Sequence, residues 1–333
     1  THNIYRLPDL LKEVMTTKKR KVEVLSEEGR IIENLPVKRT QNVKGYVDIM
    51  YGCNKFCTYC IVPYTRGKER SRRMSDIIRE VKQLIQNGGK EVILLGQNVN
   101  AYGKDLGMDD GFTDLLIAVA ETGIERIRFY SSSPRDYSES TIQAMLDHPN
   151  IMPALHLPVQ SGSNEVLRRM ARGYTVEQYK EVFDRLKSKI PNITFTTDLI
   201  VGFPQETDEE FRDTIALVDY CKFDGAFSFM YSPREGTPAA RMDGQIDAAV
   251  KKERLHELNE HINHWAKENN QKYLHKTVKV LCEGRSKKNA AVYSGYSEEN
   301  KLVNFTGQEG LENQIVEVEI TEVRSFSLNG KAL

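Results

Sequence analysis

The sequence predicts an α/β protein: an open, partial (β/α)6 barrel followed by a small antiparallel β-barrel. Six strand-like runs alternate with helical runs up to Asn270, the pattern of parallel β/α architecture. Six units fall short of the eight that close a full barrel. After Gln271 the texture changes to short runs of alternating apolar and polar residues separated by Gly284, Gly295, Gly307 and Gly310. Short strands at close spacing read as a small antiparallel barrel.

Residues 1–38 read as a lead-in from a preceding domain, 39–270 as the α/β core and 271–333 as the barrel. In the lead-in, Leu7-Pro8-Asp9 followed by Leu10, Leu11 and Val14 predicts a short helix with Asp9 as its cap. Lys18 to Lys21 is a basic run, and Lys21 to Ile32 reads as an extended arm or a hairpin around Glu28-Gly29. None of this makes a core of its own.

The core strands are expected at Tyr46–Tyr51, Glu91–Leu95, Arg126–Tyr130, Ala154–Leu157, Ile193–Val201 and Gly225–Tyr231. Helices are expected at Met74–Asn87, Phe112–Glu121, Ser138–Leu146, Asn164–Met170, Val176–Lys189, Asp208–Tyr220 and Asp247–Asn270. The first shows apolar residues at helical spacing (Ile77, Ile78, Val81, Leu84, Ile85) and ends at Gly88-Gly89. Each strand runs into Gly, Ser, Pro, Asn or Gln, so one rim is lined with small and polar groups. Turn chemistry explains the glycines. It explains Gln97, Asn98, Gln160, Ser161 and Asp198 less well. The barrel strands are expected at Thr277–Cys282, Ala291–Tyr293, Leu302–Phe305 and Gln314–Val323. Lys279, Arg285, Lys287, Lys288, Tyr293, Tyr296, Lys301 and Phe305 are its candidates for nucleic-acid contact.

With 39% hydrophobic and 28% charged residues, the chain has a globular composition. No apolar run approaches the roughly 18 residues of a membrane helix, and Thr1 to Lys12 lacks a signal-peptide pattern. Five cysteines, three of them clustered, argue against a disulfide framework and for a reducing, cytoplasmic setting. The net charge of zero conceals a basic stretch, Arg66, Lys68, Arg70, Arg72 and Arg73 against Glu69. Phosphate contacts would give such a run salt-dependent affinity for RNA, although a charge run is also the ordinary composition of a solvated face.

The chemistry centres on Cys53, Cys57 and Cys60, spaced C-x3-C-x2-C after the strand that Gly52 ends. Structural zinc sites take four ligands. Three thiolates suit three irons of a cubane cluster, leaving a fourth iron open to a small molecule. A zinc site completed from a distance stays open as the alternative, with Cys221, Cys282, His2 and His148 as further ligand types. His148, His156, His261, His264 and His275 show no metal spacing and read as structural or surface residues.

The cysteine spacing, with Tyr59 just before the last cysteine, resembles the radical S-adenosylmethionine (SAM) superfamily. The runs Met50–Cys53 and Ile61–Arg72 resemble the methylthiotransferases within it. So do Leu95–Val99, His156–Ser163, Asp198–Pro204 and Tyr231–Thr237. The resemblance covers nearly the whole chain, and its final barrel is similar to a TRAM RNA-binding domain. Ile61–Arg72 and Arg172–Thr175 favour the members that act on a dimethylallyl-modified adenosine of tRNA. Members acting on a threonylcarbamoyl-adenosine or on a ribosomal protein are the alternatives, as is an RNA-binding module whose cluster is purely structural.

The resemblance implies a 4Fe-4S cluster on Cys53, Cys57 and Cys60, with SAM on its open iron. SAM cleavage would yield a radical that abstracts hydrogen from C2 of the adenosine beside the anticodon. A sulfur from a second 4Fe-4S cluster, methylated from another SAM, would then be inserted. That cluster belongs to an N-terminal domain with three more cysteines, which this sequence does not contain. The sequence as given is therefore expected to cleave SAM without delivering the methylthio group.

Tyr59 would lie beside the SAM adenine, Gln97 and Asn98 at the amino group, and Gln160 and Ser161 at the ribose or carboxylate. Arg172 would pair with the carboxylate. Asp198 would contact substrate or hold a structural salt bridge, and Tyr231 would border the adenine pocket. The implied partners are a tRNA anticodon stem-loop, contacted through Arg66, Lys68, Arg70, Arg72 and Arg73, and an external flavodoxin-like or ferredoxin-like electron donor. The chain is expected to act as a monomer without a membrane.

Overall fold

The computed structural model describes residues 4–23, 31, 43–287 and 289–333. The expected arm or hairpin around Glu28-Gly29, and Lys288, lie outside the described residues. The strands are, in chain order, β1 (Lys44–Asp48), β2 (Met50–Tyr51), β3 (Arg70–Ser71), β4 (Glu91–Leu95), β5 (Arg126–Phe129), β6 (Ala154–His156), β7 (Thr194–Val201) and β8 (Gly225–Met230). The final segment adds β9 (Thr277–Arg285), β10 (Tyr293–Ser297), β11 (Leu302–Thr306), β12 (Ile315–Val323) and β13 (Leu328–Ala332).

Six parallel strands form the core, in two halves of order β1-β4-β5 and β6-β7-β8. A parallel bridge between Ile127 and Ile151 joins the halves. Among the described residues β1 and β8 pair on one side only, so the barrel stays open. The expected first strand is divided: Met50–Tyr51 leaves β1 to pair with Arg70–Ser71 in a two-stranded ribbon. That ribbon anchors the cysteine loop on both sides.

Period-two alternation sorts the strand residues. Val47, Val92, Leu94, Ile127, Phe129, Phe195, Leu199 and Val201 join the core under the helices. That layer is completed by Ile77, Val81 and Leu84 of helix Met74–Gln86 and Leu115, Leu116 and Val119 of helix Gly111–Ala120. Helices Val176–Lys189 and Asp208–Cys221 start with capping boxes, Thr175 with Gln178 and Thr207 with Glu210, which satisfy otherwise unpaired N–H groups. The alternate strand positions carry Glu91, Arg126, Arg128, Thr194, Thr196 and Asp198 beside Ile93, Leu95 and Ile200, so the inner face is mostly polar.

Helix Leu7–Thr17 forms as expected, but Arg6 occupies the cap and Asp9 lies in the first turn; none of its residues is buried.

The C-terminal segment is a closed five-stranded barrel of order β10-β11-β13-β12-β9. It differs from expectation in two ways. One pairing, β11 with β13, is parallel, and β13 is a fifth strand. Leu328-Asn329-Gly330-Lys331-Ala332 has little β-branched content, which hid it. Gly330 is required because a Cβ there would collide with the Glu319 carbonyl. The expected strand Ala291–Tyr293 lies instead at Tyr293–Ser297, since Gly295 is inside the strand and not at a turn.

The turn between β10 and β11 docks on the floor of the open barrel. Arg126 donates to the Tyr296 and Lys279 carbonyls, and Arg128 to the Ser297 and Glu298 carbonyls, at 2.7–3.0 Å. Thr194 donates to the Glu299 carbonyl, and Lys301 pairs with Asp224 at 2.8 Å. Three of the barrel candidates for nucleic-acid contact are thereby corrected. Lys301 is buried in this floor, and Tyr293 and Phe305 fill the barrel core. Tyr296 is half-buried with the Lys44 ammonium over its ring, whereas Lys279, Arg285 and Lys287 are exposed.

Candidate active site

The cysteine loop leaves the ribbon at Gly52, whose φ of +75° and lack of a Cβ let the Lys68 carbonyl approach. The Cys53 N–H then donates to the Gly67 carbonyl and the Cys60 N–H to the Cys57 carbonyl. Thr58 donates through its N–H to the Met170 carbonyl and through its hydroxyl to the Arg169 carbonyl. The loop is therefore fixed from both the ribbon and the far half of the barrel.

Cys53, Cys57 and Cys60 line one cleft of about 190 Å³ at the C-terminal ends of the strands. Burial pushes the Cys53 and Cys60 thiols up, outweighing hydrogen bonds from the Lys55 and Val62 backbone. Metal binding there must displace thiol protons. Among the described residues no three potential ligands converge on a single-ion site. A cluster asks for something different: each cysteine binds its own iron, so the sulfurs stand apart around a cavity. Three free thiols on one cleft wall suit that arrangement. Cys221 and Cys282 are buried in two different cores, and burial pushes Cys221 up to about 12.

The other walls of the cleft carry Tyr59, Gln97, Asn98, Gln160, Arg172 and Asp198. Asn98 is buried; its amide donates to Glu69 at 3.4 Å, while its Oδ1 has no hydrogen-bond partner among the described residues. That orphaned acceptor suits an ammonium group. Gln160 takes a left-handed φ of +77° and bridges the neighbouring strand, donating to the Asp198 carbonyl and accepting from Ile200. The Arg172 guanidinium lies 3.3 Å from the Cys57 sulfur and 3.4 Å from the Tyr59 hydroxyl. Asp198 is half-buried with its Oδ2 3.4 Å from His156 Nε2.

Two expected residues lie behind the wall. Ser161 is fully buried, with its Oγ 3.3 Å from Thr214 Oγ1 and accepting the Ser163 N–H. Tyr231 packs with Val166, Met170, Phe203 and Ala239; its ring meets Phe203, which in turn meets Tyr59 edge-on. The basic run also divides. Arg66, Lys68 and Arg73 are exposed and Arg70 is half-buried. Arg72 is buried, donating to the Asp48 carbonyl at 2.7 Å and to Glu80 at 2.9 Å. Its guanidinium is committed to the fold.

Several cleft residues were not among the sequence candidates: Lys55, Ser131, Ser132, Ser133, His156 and Pro158. Lys55 donates to Asp136 at 2.6 Å and to Ser133 at 2.9 Å, tying the cysteine loop to the end of β5. His156, expected to be a structural or surface residue, lines the cleft, with its Nδ1 3.0 Å from Thr196 Oγ1. The rule that strand ends carry the chemistry pointed to both segments, but it does not say which side chains face inward.

Comparison with known proteins agrees with this architecture. A family model described as the radical SAM superfamily matches residues 47–218, and a TRAM domain model matches 271–333. The tRNA-2-methylthio-N(6)-dimethylallyladenosine synthase of Bacillus cytotoxicus is 54% identical over 332 residues, 99% of this chain and 65% of that protein. That of Anoxybacillus flavithermus is 53% identical over 99% of this chain and 63% of its own length. The Alkaliphilus oremlandii protein of the same name is 52% identical over 100% of this chain and 71% of its own length. The chain thus spans about two-thirds of the length of these relatives. Among solved structures, the radical S-adenosylmethionine methyltransferase TsrM of Kitasatospora setae, with tryptophan and a SAM analogue bound, superposes with a TM-score of 0.51. The identity is 16%, over 63% of this chain and 41% of that one, a likeness of fold. The chain belongs to the radical SAM methylthiotransferases, in the family of the tRNA-2-methylthio-N(6)-dimethylallyladenosine synthases.

Proposed function

We propose that this chain carries the radical-generating half of a tRNA methylthiolation at C2 of N6-dimethylallyladenosine beside the anticodon. The observation that carries the reading is the meeting of Cys53, Cys57 and Cys60 with Asn98, Gln160, Arg172 and Asp198 around one cleft. The radical SAM family uses a 4Fe-4S cluster and SAM; Cys53, Cys57 and Cys60 would hold the cluster through three irons. When bound, cluster and SAM supply hydrogen abstraction from an unactivated carbon.

The chain's own residues hold and orient. Asn98 Oδ1 accepts from the SAM ammonium, with Gln97 beside it. Arg172 provides the cation for the carboxylate end, and Tyr59 borders the adenine. Gln160 and Asp198 face the ribose side. Ser161 and Tyr231 support this wall from behind. Arg66, Lys68 and Arg73 meet RNA phosphates at the rim, and Lys279, Arg285 and Lys287 offer a second contact from the C-terminal barrel. Cys221 and Cys282 are buried apart, so neither serves as the sulfur donor. That atom would come from a second cluster held by residues other than these, and the electron from a flavodoxin-like or ferredoxin-like donor. The chain works as a cytoplasmic monomer.

The test is anaerobic. The chain is reconstituted with iron and sulfide, reduced, and given SAM and an anticodon stem-loop bearing N6-dimethylallyladenosine. Wild type is expected to form 5′-deoxyadenosine without a methylthiolated product, and Cys57→Ala to form none. A wild type that carries about four irons per chain yet forms no 5′-deoxyadenosine overturns the reading.

A further inference from the structure

Phe56 lies in the cysteine loop, and Tyr64 in the short helix that follows it, Val62–Arg66. Both are exposed, at 59% and 58%. They are not scattered singly: their ring centroids lie 6.0 Å apart with planes at 78°. Burying either ring in the core would be favourable, and the loop buries Cys57 and the helix Pro63 instead. A contiguous exposed aromatic patch on a functional rim marks a contact surface.

We infer that the Phe56–Tyr64 pair is a stacking platform for an unpaired base of the RNA loop next to the base being modified. An edge-to-face pair leaves ring faces open to a planar partner. Arg66, two residues beyond Tyr64, is exposed, and Lys68 and Arg73 are exposed on the segment that follows. The acid of this segment, Glu69, is half-buried and accepts from Asn98. The surface is therefore aromatic and cationic, the combination that binds single-stranded nucleic acid without reading its sequence. Its position on the cysteine loop sets the stacked base beside the cleft mouth. The inference rests on the tRNA reading above and adds the element that would grip a splayed loop.

The experiment measures binding of an RNA stem-loop and of a fully paired RNA duplex of equal length to the reconstituted chain. Wild type is compared with Phe56→Leu, Tyr64→Leu and the double variant. Leucine keeps apolar bulk and removes the ring face. Iron content equal to wild type shows that the neighbouring cysteines still assemble the loop. The expected result is a stem-loop Kd raised about tenfold in the double variant, a duplex Kd changed less than about twofold, and a stem-loop Kd for a further variant, Phe56→Trp, nearer to wild type than that of Phe56→Leu. Unchanged stem-loop binding overturns the platform and makes the patch a protein-facing surface. Equal losses on both RNAs overturn it as well. If wild type binds neither RNA, the tRNA reading itself fails.

Discussion

The Arg172 guanidinium donates to the Cys57 sulfur at 3.3 Å and to the Tyr174 hydroxyl at 3.0 Å. Its other hydrogen-bond partners are the Tyr59 hydroxyl and the Pro158 carbonyl, each at 3.4 Å. All are uncharged groups unless Cys57 is a thiolate. A cation in a cleft without an anion is costly, and a Cys57 thiolate or a ligand carboxylate would complete it. Hydrogen bonds and positive charge at a cluster sulfur raise the reduction potential. In Arg172→Gln the potential of the reconstituted cluster is expected to move negative, with Arg172→Lys between it and wild type. A redox titration followed by EPR checks this. An unmoved potential with weakened SAM binding would assign Arg172 to the SAM carboxylate alone.

Arg72 and Arg73 are neighbours with opposite fates. Removing the buried Arg72 takes its donor from the Glu80 carboxylate and from the Asp48 carbonyl. Arg72→Ala is expected to cost about 3 kcal/mol of stability. Arg73 is exposed at the start of helix Met74–Gln86 and makes no side-chain cap. Arg73→Ala should change stability by less than about 0.5 kcal/mol and lower the salt slope of RNA binding by about 1. Urea unfolding and binding at several salt concentrations separate the two. Equal effects of both substitutions on RNA affinity, with stability intact, would contradict the assignment.

The barrel floor makes a third prediction. Arg128 and Glu91 form an ion pair at 3.0 Å with side chains only 2% and 1% exposed, and Arg128 also holds the β10–β11 turn. Arg128→Met leaves Glu91 with the Lys44 ammonium at 3.6 Å and takes the guanidinium donor from the Ser297 and Glu298 carbonyls. A loss of about 3–5 kcal/mol is expected. Core and C-terminal barrel should then unfold in separate transitions, seen as Trp265 fluorescence and far-ultraviolet circular dichroism ceasing to coincide. Coincident transitions at an unchanged midpoint would show that the turn does not depend on Arg128.

Glu210 gives a pH dependence. Burial raises its pKa, but the bidentate Arg169 guanidinium and the Thr207 N–H outweigh burial and hold it below the ordinary 4.5. A carboxylate with a depressed folded pKa contributes stability that is fully present above its unfolded value. That stability is lost as pH falls through the folded value. Wild type should exceed Glu210→Gln by about 1 to 2 kcal/mol at neutral pH, and the gap should close below pH 4.5. Urea midpoints across that range measure it; a gap constant with pH would remove the charge from the explanation.

The six core strands, their helices and the cysteine cleft were legible because apolar period and strand-end chemistry are local signals. What stayed hidden depends on facing. Gln160 and Ser161 are adjacent, yet one lines the cleft and the other bonds Thr214 behind it. In the basic run, Arg72 and Arg73 read alike until the ribbon turns one inward. His156 showed no ligand spacing, and only the pairing of β6 with β7 brings it to Asp198. The strand β13 escaped because its run has little β-branched content, and in it Gly330 is what lets the Glu319 backbone pass.

The docked β10–β11 turn also bears on how the chain is made. Synthesis runs from the N-terminus, and domains begin folding as they emerge. The core has Glu91, Arg126 and Arg128 in place long before residues 296–301 leave the ribosome. Until then the two arginines lack the carbonyls that accept from them, and the half-finished barrel presents an uncovered charged floor. The last fifth of the chain is therefore the step that commits the nascent enzyme to its final form. A stalled or C-terminally shortened product would be a natural target for proteolytic clearance.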